Sequence, residues 1–283
     1  MGNARVSQAA RRPDANHSFD PGYFKRLFAI EDRHFWFAAR NRVIATIASQ
    51  IAAGLRPGYR VLDVGCGTGS VLRVLELACR GGMVLGMDLH AQALRYARER
   101  TRCRLVQADV HLAPFRAQFE LVGMFDVLEH LADDMGVLRN LHGVLAPGGT
   151  LLLTVPAHSS LWSYFDEAAH HCRRYEPAEL RRKLTRTGYQ VEYLTQFNAS
   201  LFPLIWLGRR LAVLIACPAR DRRGAGHTDR SDDLALSELR VRPVVNELLA
   251  WLLTKEAALV ARRCRLPIGA SLLTIARKAW RSV

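Results

Sequence analysis

The stretch RVLDVGCGTGSVL, residues 60–72, decides the fold and raises the first question about function. Residues 60–64 are mostly apolar, as in a strand buried on both faces. Glycines at 65, 67 and 69 then form a bend, and from Ser70 the apolar residues recur at helical spacing. A buried strand, a glycine bend and a helix in direct succession is how parallel sheets receive a nucleotide-like cofactor. Several cofactors use that architecture, so the charges around the bend have to choose among them.

Downstream the pattern keeps alternating. Strands are expected at 83–87, 104–107, 120–125 and 149–155, with helices at 91–100 and about 131–145 between them. LAPGG before the strand TLLLTV is expected as a turn. The helix PAELRRKLTRTG carries proline in its first turn and glycine at its end, YQVEYLTQF reads as a strand, and SLLTIARK, residues 271–278, as the last one. Strands alternating with helices predict an α/β fold with a doubly wound, mostly parallel sheet, whose ligands lie beyond the carboxyl ends of the strands. The chain is therefore divided into a flexible basic tail (1–19), a helical cap (20–56), a cofactor-binding core (57–197), a helical insertion (198–267) and a terminal strand segment (268–283).

Composition narrows the setting. Of 283 residues, 49% are hydrophobic and 23% charged, which places the chain among folded proteins. The six cysteines form no CxxC pair, which argues against a zinc site and for a reducing compartment, so the cytoplasm is expected. No apolar segment follows the N-terminal basic residues. The formal charge of +14 comes almost entirely from arginine; it reads either as attraction to an anionic partner or as arginine spread over solvated helix faces. Nucleic acid is not expected, because no alternation of basic and aromatic residues is visible. The apolar run from Asn198 is broken by Arg209 and Arg210, so it is not read as a spanning helix. A lid over an acceptor cavity is the first expectation for this insertion, a homodimer contact the second, and peripheral contact with the inner face of a membrane the third. ARDRRGAGHTDRSDD within it is expected as a disordered loop.

The dinucleotide pattern GxGxxG is only partly present, with Ser70 at its third position. Asp63 discriminates. A carboxylate just ahead of the bend repels a pyrophosphate but attracts the ammonium and sulfonium of S-adenosylmethionine. At an effective dielectric near 20, two unit charges about 4 Å apart interact by about 4 kcal/mol, so sign outweighs the glycine count. Asp88 closes the second strand, where its acceptors suit ribose hydroxyls, and Asp109 follows the third, where it suits an adenine amino group. Each is also a plausible helix N-cap taken singly.

LDVGCGTG, GMDL, QADV and FELVGMFDVLEHLADD, within residues 30–195, together resemble the class I S-adenosylmethionine-dependent methyltransferases. The resemblance implies a seven-stranded sheet with SLLTIARK antiparallel, and cofactor contacts from Gly65, Cys66, Gly67, Gly69, Asp88, Leu89, Asp109, Val110, Phe125 and Asp126. Relatives often carry an N-terminal helix over the cofactor, and EDRHFWFAARNRVI looks similar. There His34, Trp36 and Arg40 share a helical face, so Arg40 is expected to pair the methionine carboxylate and Trp36 to roof the pocket. The competing expectation for Trp36 is core packing.

Methyl transfer needs alignment, and a base only if the nucleophile must lose a proton. Candidates cluster after the fourth and fifth strands. FDVLEHL supplies Asp126, Glu129 and His130; in some related O-methyltransferases a similar ExxEH binds a divalent cation, but aspartate in the first position leads us to expect no metal. VPAHSSLWSYFDEAAHHCRRYEP supplies His158, Asp166, His170 and His171. HCRRYEPAEL resembles the HxR-x-[YF] segment of many relatives, and that resemblance makes His171 the preferred base, with His130 second; Arg173 and Arg174 either hold an anionic substrate or form a solvated face. The sequence therefore predicts methyl transfer to a small-molecule or lipid-like acceptor, with O-methylation favoured. Its rivals are an NAD(P)-dependent reductase and a non-catalytic scaffold that keeps the cofactor pocket.

Overall fold

The computed structural model of the chain describes residues 21–203, 206–207 and 243–279. The expected basic tail, Arg209, Arg210 and the expected disordered loop at 219–233 lie outside the described residues. Seven strands, β1 (Arg60–Val64), β2 (Met83–Asp88), β3 (Arg104–Gln107), β4 (Phe119–Phe125), β5 (Leu145–Pro156), β6 (Tyr189–Phe197) and β7 (Ser271–Lys278), form one sheet in the order β3-β2-β1-β4-β5-β7-β6. Neighbours from β3 to β5 are parallel. The last strand slots antiparallel between β5 and β6, as expected. The order reverses between β1 and β4, which opens a crevice at their carboxyl ends.

Helices α1 (Pro21–Ile30), α2 (Phe35–Ala53), α3 (Ser70–Ala78), α4 (Ala91–Arg100), α5 (Asp134–Val144), α6 (Tyr164–Ala168), α7 (Pro177–Arg186) and α8 (Pro243–Ala261) cover the sheet and its upper edge. One face of the sheet buries Leu62, Val122, Leu151 and Leu153 against Leu138, Leu141, Leu180 and Leu184. The other buries Val61, Leu121, Leu152 and Ile275 against Ile44, Ile47, Leu72 and Val260. At about 1.5–3 kcal/mol for each fully buried large apolar side chain, these two layers supply the drive that fixes the strand ends on which the site rests.

Two elements differ from expectation, each for a local reason. β5 begins at Leu145 rather than 149: LAPGG continues the strand, with Gly148 at φ 74°, and Lys278 Nζ donates to the carbonyls of His142 and Leu145, both at 2.7 Å. Helix α5 starts at Asp134, because Asp133 accepts from the Gly136 N–H at 2.8 Å and caps it there. LEH is thereby left as a separate 3₁₀ turn, Leu128–His130. The described helix of the insertion, α8, packs on α2. Asn246 accepts from Phe35 N (2.8 Å) and donates to Arg33 O (3.0 Å), while Arg42 donates to Thr254 Oγ1 (2.9 Å). Among the described residues no helix is long and apolar enough to cross a membrane.

Candidate active site

The glycine bend is tied down from both sides. Gly65 and Cys66 donate their N–H groups to Met87 O at 2.8 and 3.0 Å, and Gly67 N donates to Asp88 Oδ2 at 2.8 Å. Gly65, Gly67 and Gly69 sit at φ 71°, 53° and 83°, the left-handed region where side chains are strained. A Cβ on Gly69 would lie 2.9 Å from the Ala97 Cα, so the bend also needs glycine for the close approach of α4. Gly69→Ala is therefore expected to destabilise the fold by about 3 kcal/mol, read as a lower urea midpoint at unchanged slope.

Asp63, at the end of β1, is 1% exposed, and its Oδ2 has no hydrogen-bond partner. Burial, against the pull of Arg40 and with a push from Asp88, lifts its carboxyl from 3.8 to about 7. Such an oxygen calls for a hydrogen-bond donor, and a cationic donor would also favour the ionised carboxylate, whereas an anion would oppose it. Asp88 is also buried, and burial raises its pKa against the N–H groups of His90 and Gly67 that it accepts. Four acceptor positions on a carboxylate leave it capacity for ribose hydroxyls. Asp109 does cap the 3₁₀ turn Val110–Leu112, accepting from His111 N at 2.9 Å, and it also meets His111 Nδ1 at 2.8 Å. Leu89 is 48% exposed at the crevice, whereas Val110, Cys66 and Phe125 are buried.

Asp126 follows β4 at φ 54°. The left-handed turn lets the chain double back, so Asp126 meets Arg40 at 2.7 Å and accepts from Thr154 Oγ1 at 3.0 Å. Arg40, expected on the methionine carboxylate, is thus paired with an acidic residue of the site. Trp36 packs with Phe35 and Leu249 on a small cluster of Ala39, Leu201 and Leu253, on the side of α8.

The same doubling back buries Glu129 completely, with neither carboxylate oxygen hydrogen-bonded. Burial first, and Asp126 second, push its pKa well above the usual carboxylate range. His171 lies beside it. Its Nδ1 is 2.8 Å from Asp166 Oδ1, its Nε2 4.0 Å from Glu129 Oε1, and its ring meets that of His130 edge-on at 4.7 Å. Burial, then His171, holds His130 down at about 3, so its ring stays neutral. Burial would raise Asp166, but the His171 hydrogen bond and Arg174 at 2.7 Å outweigh it, and the carboxyl stays below its usual value. An ionised Asp166 takes a proton-bearing Nδ1 as its partner, which leaves the His171 Nε2 lone pair facing Glu129 and His130.

A family model described as a methyltransferase domain matches residues 31–194. The chain belongs to the class I S-adenosylmethionine-dependent methyltransferases. This methyltransferase is 25% identical over 213 residues to the ubiquinone biosynthesis O-methyltransferase of Escherichia coli O157:H7 (strain EC4115 / EHEC), a match covering 66% of its chain and 88% of the relative. Among solved structures it resembles a candidate sarcosine dimethylglycine methyltransferase from Galdieria sulphuraria, with TM-score 0.58, 14% identity, and 92% and 98% of the two chains covered. It also resembles phosphoethanolamine N-methyltransferase 2 of Haemonchus contortus, solved with S-adenosyl-L-methionine, with TM-score 0.50, 20% identity, and 83% of this chain and 52% of that one covered. At these identities the structures carry the fold alone. The protein is an enzyme whose cofactor is S-adenosylmethionine, so neither the reductase nor the non-catalytic scaffold stands.

Other side chains named from sequence have different work in the methyltransferase. Both ring nitrogens of His158 are taken, Nδ1 by Glu176 at 2.9 Å and Nε2 by Gln196 at 2.6 Å, so it ties the chain just after β5 to β6 and to the start of α7. Asp166 contacts His171 Nδ1 and is the capping-box acid of α6, accepting from Ser163 N at 2.9 Å. Arg174 is buried against Asp166 and donates to Ala157 O at 3.1 Å, while Arg173 pairs with Asp134 at 2.9 Å. Arg174 is therefore buried rather than solvated, and Arg173, partly exposed, is tied to an acid of the same region.

Proposed function

We propose that this methyltransferase methylates a hydroxyl group on a small or lipid-like acceptor that is uncharged near the reacting oxygen, with His171 as the base. S-adenosylmethionine supplies an electrophilic methyl group whose transfer leaves a neutral thioether. Asp63 receives the ammonium of the amino-acid tail, Asp88 the ribose and Asp109 the adenine edge. His171 Nε2 takes the hydroxyl proton as the oxygen attacks, and Asp166 stabilises the imidazolium that forms. The observation that carries this reading is the 2.8 Å contact between His171 Nδ1 and a carboxylate held ionised. The pairing of Arg40, Arg173 and Arg174 with Asp126, Asp134 and Asp166 argues against an acceptor held by these three arginines through an anionic group, and so supports one without a negative charge there. The described insertion helix α8, packed beside Trp36, supports a role for that region in shaping the acceptor cavity. Screening phenols, aliphatic alcohols and amines with methyl-labelled cofactor tests the choice of nucleophile; exclusive labelling of amines would refute it.

One observation favours a second reading. Glu129, His130 and His171 place one ligand atom each within 4.8 Å of one another, and the Glu129 oxygens have no other partner. A divalent cation there would ionise Glu129 and take the lone pair assigned to the base. The two readings separate in one assay. Turnover of the identified acceptor is expected to survive EDTA, and calorimetry with Mg²⁺, Mn²⁺ or Zn²⁺ to give no heat that Glu129→Gln abolishes. Loss of turnover on chelation with recovery on metal addition would move the site to the metal reading.

A further inference from the structure

We propose that Arg100 and Glu31 are positioning residues which latch the cap helix α1 onto the glycine bend, so that seating the cap and retaining the cofactor are one equilibrium. The proposal rests on the cofactor reading above. Thr68, the residue between Gly67 and Gly69, is 2% exposed. Its hydroxyl donates to Glu31 Oε2, just after α1, and accepts from Arg100 Nη1 at 2.8 Å, at the end of α4. Arg100 also pairs with Glu31 and donates Nη2 to Phe28 O, within α1, at 2.7 Å, with its guanidinium 4.2 Å over the Phe28 ring. Both ends of the pair are sequestered, with Arg100 4% and Glu31 9% exposed at their side chains.

A buried ion pair is weak evidence for stability, because desolvation cancels most of its attraction. Its position is what is informative. Three chain segments far apart in sequence meet on one hydroxyl of the cofactor bend, and aromatic contacts carry the cap along the same crevice edge. Phe28 tilts on Tyr96 at 5.0 Å, and Phe24 lies 5.4 Å from His90, next to the Leu89 and Asp88 expected to hold the nucleoside. The bend is therefore clamped by Asp88 from the sheet and by Glu31 from the cap. Releasing the cap frees one clamp, and cofactor binding must in turn hold the cap down, because coupling between two sites is reciprocal.

Removing one partner alone leaves a buried charge, so the decisive variant is the double exchange Glu31→Gln/Arg100→Gln, with the single exchanges completing the cycle. S-adenosylhomocysteine is the probe, with its dissociation followed by stopped flow at a temperature where every variant tested is folded. The double variant is expected to lose the ligand about tenfold faster than wild type. Trypsin supplies the reciprocal readout at the exposed Lys25 and Arg26 of α1. Ligand should slow cleavage there in wild type and protect little in the double variant. Wild-type dissociation in a folded double variant overturns the latch, even if cleavage of α1 quickens, since the network would then only hold the helix. Failure of the cofactor reading would look different: wild type itself would not bind the probe.

Discussion

His171→Gln is expected to lower kcat by about 10²–10⁴-fold, the usual contribution of a positioned general base, while leaving the affinity for S-adenosylhomocysteine unchanged. The split between the two readouts is the test. His171 meets Asp166, Glu129 and His130 and none of the groups assigned to the cofactor, so an effect on affinity would mean that the crevice had been disturbed. Glutamine fills the imidazole space and can still donate to Asp166, so that carboxylate is not stranded in the interior. Asp166→Asn probes the same step differently. An amide offers a donor where Nδ1–H expects an acceptor, which favours the tautomer with the proton on Nε2 and silences the base. Because Asp166 also anchors Arg174 and caps α6, this variant should lose stability as well, and kcat must be read well below its unfolding transition. His158→Gln is the control. With both nitrogens engaged by Glu176 and Gln196, it should leave kcat within about twofold of wild type, as for a residue remote from the transition state. A large loss there together with a small one at His171 would reassign the base.

The parts legible in sequence were those whose cause is contiguous. The bend at 65–69 is written in three glycines, each needed where it stands, and β7 is legible in the mostly apolar run SLLTIARK. The pair of Asp166 and His171 is only five residues apart, but it straddles the end of a helix, with Asp166 inside α6 and His171 beyond it. Helix α6 ends at Ala168, His170 adopts φ 54°, and this reversal carries His171 back to Asp166. Neither the helical nor the strand period encodes such a return, so chemistry could nominate both residues without pairing them. Adjacent arginines at 173 and 174 looked like surface or substrate binding, and only the packed loop shows that they point to different acids. Glu129 was named with Asp126 and His130 in FDVLEHL, but its environment was not. That it is buried with neither oxygen bonded depends on the left-handed turn at Asp126, which no spacing rule anticipates. Glu31 and Arg100 were missed altogether, since they meet only once α1 crosses α4.

Asp63→Asn is expected to weaken S-adenosylhomocysteine binding at pH 8 by about 30-fold, within the range for a buried hydrogen bond to a charged group, without destabilising the empty protein. The two effects have opposite signs because one carboxylate does two things. In the empty protein, burial lifts Asp63 from 3.8 to about 7, so between those values the folded chain binds more protons than the unfolded one. Stability from this group is present below about pH 4, is lost as pH rises toward 7 and is level above it. Asparagine removes that penalty and is expected to hold the thermal midpoint at pH 8 at or above wild type. Ligand binding runs the other way. An ammonium group favours the ionised carboxylate, so below about pH 7 binding must expel a proton, and affinity should fall about tenfold for each further unit of acidity. Calorimetry in buffers of different ionisation enthalpy should record about one proton released near pH 6 for wild type and none for Asp63→Asn. Flat affinity between pH 5.5 and 7 in wild type would mean that Asp63 is already ionised in the empty site, and that its unpartnered oxygen is not what attracts the cationic tail.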